Sequence, residues 1–239
     1  MYPAAGRPAP AERLVVLLEV LICSDYPTQV VIGGAFTALG YGPYVNGHLR
    51  LAYVVGLSLV DTIALVGLIV LFLRAHGERV RDVIVGRGPL APQLAYGVLL
   101  IVPTVAVSFA VLAAMQAFVP SLHTVAQNPI QQLLTRPRDA ALFALIVVVA
   151  GGVREEAQRA FLLHRFEVWL GGGTVGVVVT SIAFGAGHLI QGLDAAMTIA
   201  LLGAFWGVVY LRRRSAVAPM VSHAGFDLLQ LVQFLLIRR

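Results

Sequence analysis

Residues 140–167 read AALFALIVVVAGGVREEAQRAFLLHRFE. The first eleven, Ala140 to Ala150, are almost wholly apolar, and the chain then runs directly into Arg154, Glu155, Glu156 and Arg159. A bilayer core needs about 20 residues of helix. A span that opens near Leu142 therefore carries the glutamates with it. Ionisable side chains inside a membrane are costly and usually mark function. This stretch predicts a membrane-embedded helical bundle with a polar site inside it.

The composition agrees. The chain has 239 residues, 59% of them hydrophobic and 12% charged, and its mean hydropathy is +0.86. Soluble domains carry roughly 25% charged residues. The apolar runs leave no room for a soluble domain, so residues 1–239 read as one all-α, polytopic, membrane-embedded domain of about seven to eight helices. The net charge of +5 does not indicate nucleic acid. The basic residues sit in short connectors, and no basic stripe is interleaved with aromatics. The one cysteine, Cys23, allows no intrachain disulfide and no cysteine-rich zinc site.

Seven apolar runs follow in order. The first, 14–39, is interrupted by Asp25 and Pro27, where it should kink or break. The N-terminal segment lacks a small-residue cleavage site, so this run is expected to stay as the first span. The second, 51–73, holds one charge, Asp61, read as a cap or hydrogen-bonding partner together with Thr62. Connector 74–87 is basic and suits a short interfacial helix. The third run is 94–118. A polar segment, 119–139, follows, with a short interfacial helix expected over 129–135. The fourth opens at Leu142, and Gly171 to Gly173 ends it. The fifth is 175–190, the sixth 194–210, and the last 217–237. Basic connectors 74–87 and 212–214, with Arg7 and Arg13, fall on one side in this count. That pattern predicts a cytoplasmic N-terminus, with Arg136, Arg138 and the C-terminal arginines against the trend; the membrane is expected to be a bacterial inner membrane.

In the second half, three apolar helices each carry a pair at i, i+4: Glu155 and Arg159, Phe184 and His188, His223 and Asp227. That spacing stacks both members on one helix face. Each pair alone has a plain structural explanation. Together they hold nearly all the ionisable groups of these spans, which points to one shared site. Its chemistry is hydrolysis. A carboxylate and a histidine activate water. A second histidine and a polar side chain one turn on donate to the oxyanion. Arg159 orients the second glutamate. The sequence requires no cofactor, although Glu155, His188 and His223 are also a set that binds Zn²⁺. HExxH and GxSxG are absent. Ser222 and His223 are sequence neighbours that point differently on a helix, so they make no dyad. Asp61 and Asp227 lack any local aspartyl motif.

These residues resemble the CPBP family (CAAX proteases and bacteriocin-processing enzymes, also called Abi), which includes the type II CAAX prenyl endopeptidase. The family motifs are EExxxR, FxxxH and Hxxx(N/D), in that order. Phe184–His188 matches the second and His223–Asp227 the third, and 205–223, FWGVVYLRRRSAVAPMVSH, resembles the approach to the last motif. The resemblance covers about 138–232, taken as the catalytic core. The first motif departs: Glu155-Glu156-Ala-Gln-Arg159 has two residues between glutamate and arginine where the family has three. Alignment on the glutamates makes Glu155 the base, with Gln158 filling part of the missing role. Alignment on Arg159 makes Glu155 the second glutamate. Helix angle changes by about 100° per residue, so the sequence leaves open which of Glu155 and Glu156 faces the other helices.

The resemblance implies an intramembrane endopeptidase acting on a membrane-associated protein or peptide, putting Glu155, Glu156, His188, His223 and Asp227 at the reaction with Arg159 and Phe184 in support. Substrates of the family lie near a membrane surface, in some members beside a prenylated cysteine. The one-residue shift supports an alternative, a non-catalytic membrane protein of the same fold, such as an immunity or partner-binding protein. A proton-relaying transporter fits less well, because no half-repeat is visible.

Overall fold

The computed structural model describes residues 10–237; the charged termini counted above at Arg7, Arg238 and Arg239 lie outside them. The chain is a helical bundle with no sheet core among the described residues. Its β structure there is a two-stranded antiparallel hairpin, β1 Tyr44–Val45 and β2 His48–Leu49.

The helices are α1 (Pro10–Ile22), α2 (Tyr26–Ala38), α3 (Leu51–Ala75), α4 (Val80–Ile84), α5 (Leu90–Phe118), α6 (Pro137–Ile146), α7 (Glu156–Trp169), α8 (Gly173–Ala186), α9 (Leu193–Arg213) and α10 (Val217–Ile237). The seven apolar runs map onto seven rods. Four of these, α3, α5, α9 and α10, are long and apolar enough to cross a membrane; the α1–α2 pair, bent by 47°, makes a fifth if counted as one span. Helix α8 is apolar but shorter. The break in the first run falls where Asp25 and Pro27 predict it. Asp25 adopts φ 81°, a left-handed conformation that costs a non-glycine residue about 1–2 kcal/mol.

Large apolar side chains face outward along the rods, among them Ile63, Val102, Phe109 and Ile182. Water would not tolerate so continuous an apolar surface, whereas lipid matches it. The interior is packed by Leu65, Ile69 and Leu73 of α3 against Phe161 and Leu163 of α7 and Tyr210 of α9.

Three local expectations are corrected. Residues 129–135 do not form an interfacial helix; a single 3-10 turn, Gln131–Leu133, lies in an otherwise irregular segment. Asp61 does not pair with Thr62, whose hydroxyl donates to the Ser58 carbonyl at 2.6 Å. Asp61 is instead buried facing Arg154, with 3.7 Å between carboxylate and guanidinium. Finally, α8 ends at Ala186, so His188 sits in the turn beyond the helix.

The fourth rod places the site. Between α6 and α7, Val147–Glu155 is π-helical. Its i→i+5 bonding widens the turn, and such segments concentrate at functional sites. Gly151 and Gly152 let this wide turn lie directly on α10. A Cβ on Gly152 would stand 2.6 Å from the Ala224 Cβ, and one on Gly151 would stand 2.8 Å from Asp227 Oδ2. Small residues permit this close approach of membrane helices.

Connector 77–87, the end of α7 and the α9–α10 turn gather at one end of the bundle. Arg214 pairs with Glu167, the Tyr210 hydroxyl donates to the Val83 carbonyl at 3.0 Å, and the Ala216 amide donates to the Ile84 carbonyl at 2.8 Å.

Candidate active site

The two glutamates divide sharply. Glu156 opens α7 with its side chain 1% exposed. It accepts from Arg159, three residues on, and from His223 Nδ1 at 2.8 Å. Glu155, the last residue of the π segment, is 16% exposed at its side chain and lines two adjoining cavities of about 280 and 400 Å³. The i, i+4 pairing of Glu155 with Arg159 expected from spacing is therefore replaced by Glu156–Arg159 at i, i+3. Glu155 meets Arg154 instead, Nη2 to Oε1 at 3.5 Å.

His223 is packed on one face and held at its edges. Trp206 stacks on it with centroids 4.0 Å apart and an 18° interplanar angle, and Phe184 meets it edge-on at 6.0 Å. Glu156 is a carboxylate acceptor, so Nδ1 carries the hydrogen in that bond. The other ring nitrogen, Nε2, is then turned toward Asp227 Oδ2 at 3.6 Å and Glu155 Oε2 at 3.9 Å. The arrangement is a carboxylate that fixes the orientation of a histidine whose far nitrogen is offered to a cavity.

His188 is fixed by the carbonyl end of α8. Its Nδ1 lies 2.8 Å from the Phe184 carbonyl oxygen, which can only accept. Nδ1 thus bears the hydrogen, and in the neutral form of the ring Nε2 is left as an acceptor. The two rings of the FxxxH motif meet edge-on at 4.8 Å. Phe184 also carries the Arg159 guanidinium over its face at 4.5 Å, with Trp206 on the same cation at 5.7 Å. Arg159 is thus held by two aromatic rings while it pairs with Glu156.

Glu155, His188, His223 and Asp227 line the smaller cavity, and Glu155 and His188 also line the larger one. Glu156 lines neither. Gln158, expected to replace part of a lost role, donates to the Cys23 carbonyl at 2.9 Å. Ser222 is committed to Thr104 at 3.0 Å and to Trp206 Nε1 at 3.2 Å, which agrees with the absence of a Ser–His dyad. Among the described residues, no group of three or more His, Cys, Asp or Glu side chains is set to hold a metal ion.

Sequence spacing missed Trp206, although it lies in the 205–223 stretch. It also missed Arg154, which lines both cavities and bonds Asp25 Oδ2 at 2.6 Å. The available signal was charge: Asp25 and Asp61 each interrupt an apolar run, and Arg154 closes another.

Residues 137–229 match the family model described as type II CAAX prenyl endopeptidase Rce1-like. The match spans the π segment, both glutamates and all three motifs, and it is consistent with a CPBP-family membrane peptidase. At the level of the family it supports a CAAX-type intramembrane protease. With its apolar helices, the chain is an integral multi-pass membrane protein. No curated protein and no solved structure matches the chain.

Proposed function

We propose that the chain is an intramembrane endopeptidase that hydrolyses a peptide bond of a membrane-associated protein or peptide. One observation carries this reading: Glu155 of the π segment, His188 in the turn after α8, and His223 and Asp227 of α10 border one cavity. Water held between Glu155 and His188 Nε2 gives a proton to the Glu155 carboxylate and attacks the substrate carbonyl. His223, when it carries a proton on both ring nitrogens, donates Nε2–H to the resulting oxyanion while Glu156 holds Nδ1–H, and Asp227 adds a second donor when it carries a proton. Glu155 returns the proton to the leaving nitrogen as the C–N bond breaks, leaving a carboxylic acid and an amine and restoring the Glu155 carboxylate. Glu156 and Arg159 orient His223 and stay out of the proton transfers.

The shortened first motif was the support for a non-catalytic protein of this fold. The π turn and the i, i+3 pairing favour catalysis, because one glutamate still faces the cavity while the other holds Arg159. Glu155, His188 and His223 are the donors a Zn²⁺ ion would use. Their geometry does not form a ready metal site, so no step is routed through one. The gathered basic connectors support a cytoplasmic N-terminus, and the matched family supports a CAAX-type substrate.

The test is cleavage by the full chain in liposomes of a membrane-anchored peptide, in prenylated and unprenylated forms, with products identified by mass spectrometry. His188→Ala and His223→Ala should each slow it by about 100-fold or more. Undiminished cleavage by both variants would sink the reading. Chelation that stops the wild type, with recovery on adding Zn²⁺, would assign the three donors to a metal; an unchanged rate would leave the reaction to protein groups alone.

A further inference from the structure

The motifs that carry the proposed chemistry all lie in 155–227, yet the cavity wall beside Glu155 is completed from the other half of the chain. Arg154 is buried. Its Nη1 donates to Asp25 Oδ2 at 2.6 Å, in the α1–α2 break, and stands 3.7 Å from Asp61 Oδ2 on α3. Its Nη2 faces Glu155 Oε1 at 3.5 Å. Asp25 is itself fixed: its Oδ2 also accepts from Gln29 Nε2 at 2.7 Å, its carbonyl accepts from Thr28 Oγ1 at 3.0 Å, and its backbone is left-handed.

The geometry is lopsided for a plain structural ion pair. One guanidinium faces three carboxylates, Asp25, Asp61 and Glu155. Among the described residues, Arg154 Nε is buried without a hydrogen-bond partner, and the Asp61 carboxyl lies within hydrogen-bonding reach of the Asp25 and Thr28 side chains. Unsatisfied buried polar atoms are costly. Strained backbone and unpaired groups tend to persist where position matters. One end of the guanidinium is anchored by the α1–α2 break and α3, and the other points at the carboxylate oxygen of Glu155 opposite the one that faces His223.

We infer that Arg154, clamped by Asp25 and Asp61, is the positioning residue that sets the Glu155 carboxylate toward the cavity, so that the N-terminal helices complete the site. The inference rests on the proposed role of Glu155. It explains the α1–α2 break, because the turn at Asp25 is what brings that carboxylate to the π segment. It also gives the shortened motif a compensation, since the arginine preceding the glutamate pair takes over orientation of the first glutamate while Arg159 serves the second.

The test uses the full chain in liposomes and whichever of the prenylated and unprenylated anchored peptides the wild type cleaves. Arg154→Gln should lower kcat about 100-fold with KM within about twofold, since positioning acts on the chemical step. Arg154→Lys, which keeps the charge but loses the bridging fork, should recover part of that loss. Asp25→Asn should cost about tenfold, and the Asp25→Asn/Arg154→Gln pair should fall no further than Arg154→Gln alone, because both act through one contact. Leu65→Ala, in the core away from the cavities, is the control for destabilisation, with melting in detergent measured on every variant.

If Arg154→Gln does not fold, Asp25→Asn carries the test. A kcat loss that merely tracks the melting temperature, as in Leu65→Ala, or cleavage within twofold of wild type by a folded Asp25→Asn, overturns the inference. Failure of the underlying reading is distinct: Glu155→Gln would then cleave as well as wild type, and the inference would fall with it. A dead Glu155→Gln beside a fully active Arg154→Gln would overturn the inference alone.

Discussion

Helix α7 and the π turn before it carry two buried ionic clusters, and they differ in one respect that decides their roles. At the catalytic end, Arg154, Glu155, His223 and Asp227 border cavities, and the Arg154 clamp includes an unpartnered atom, Arg154 Nε. At the basic end, about three turns further on, Arg165 is fully buried and bonded to Glu19 at 2.7 Å, to Glu78 at 2.5 Å and to the Phe72 carbonyl at 3.3 Å. His164 pairs with Glu78, and His76 with Glu19 at 2.8 Å. That second cluster ties α1, the end of α3 and α7 together, and neither Arg165 nor its carboxylate partners line either cavity. Buried charge alone does not mark a reactive site; charge with spare bonding capacity beside open space does.

The largest effect bearing on this contrast is expected from Glu156→Ala. It removes the partner of both Arg159 and His223, so cleavage should vanish and stability should fall by about 3–5 kcal/mol, the cost of stranding a buried charge. Melting and cleavage measured together check it; a stable, inactive variant would move Glu156 into the chemistry. Arg165→Ala should cost a similar 3–5 kcal/mol, roughly, by stranding Glu19, while kcat of the folded fraction stays within about twofold of wild type. A large kcat loss there would erase the distinction between the clusters. Trp206→Phe keeps an aromatic face on His223 but removes the bond to Ser222. Loss of about 1 kcal/mol in stability and about tenfold in kcat is expected, read from melting and steady-state rates.

The smallest effect concerns Glu78, outside the spans. Burial raises its pKa, but hydrogen bonds from His164 and Arg165 outweigh this and hold the carboxyl below its ordinary value of 4.5. A lowered folded pKa contributes stability that is full above the ordinary value and is lost as pH falls through the folded one. Wild-type melting should therefore drop more steeply below about pH 4.5 than that of Glu78→Gln; parallel curves would contradict the pairing.

Much of this was legible in the sequence. Apolar runs predicted the rods, Asp25 and Pro27 predicted the first break, and the ordered motifs predicted a glutamate, both histidines and Asp227 around one cavity. What escaped was set by geometry that spacing does not encode. A π turn leaves no periodic signature, so the register between Glu155, Glu156 and Arg159 was ambiguous until the wide turn divided them. His188 looked helical because α8 ends inside an apolar run, with only Gly187 to mark the stop. Arg154 and Asp25 are 129 residues apart, and a contact of that range has no local pattern.

The proposed chemistry turns on how the glutamate pair divides, with Glu155 at the water and Glu156 behind His223, and Glu155→Gln probes that division alone. The variant keeps the size and hydrogen-bonding capacity of the side chain but cannot take a proton from water. Rates in liposomes should fall by about 1,000-fold or more while the melting temperature stays at the wild-type value. Cleavage within a few-fold of wild type by folded Glu155→Gln would take the base away from Glu155 and overturn the division.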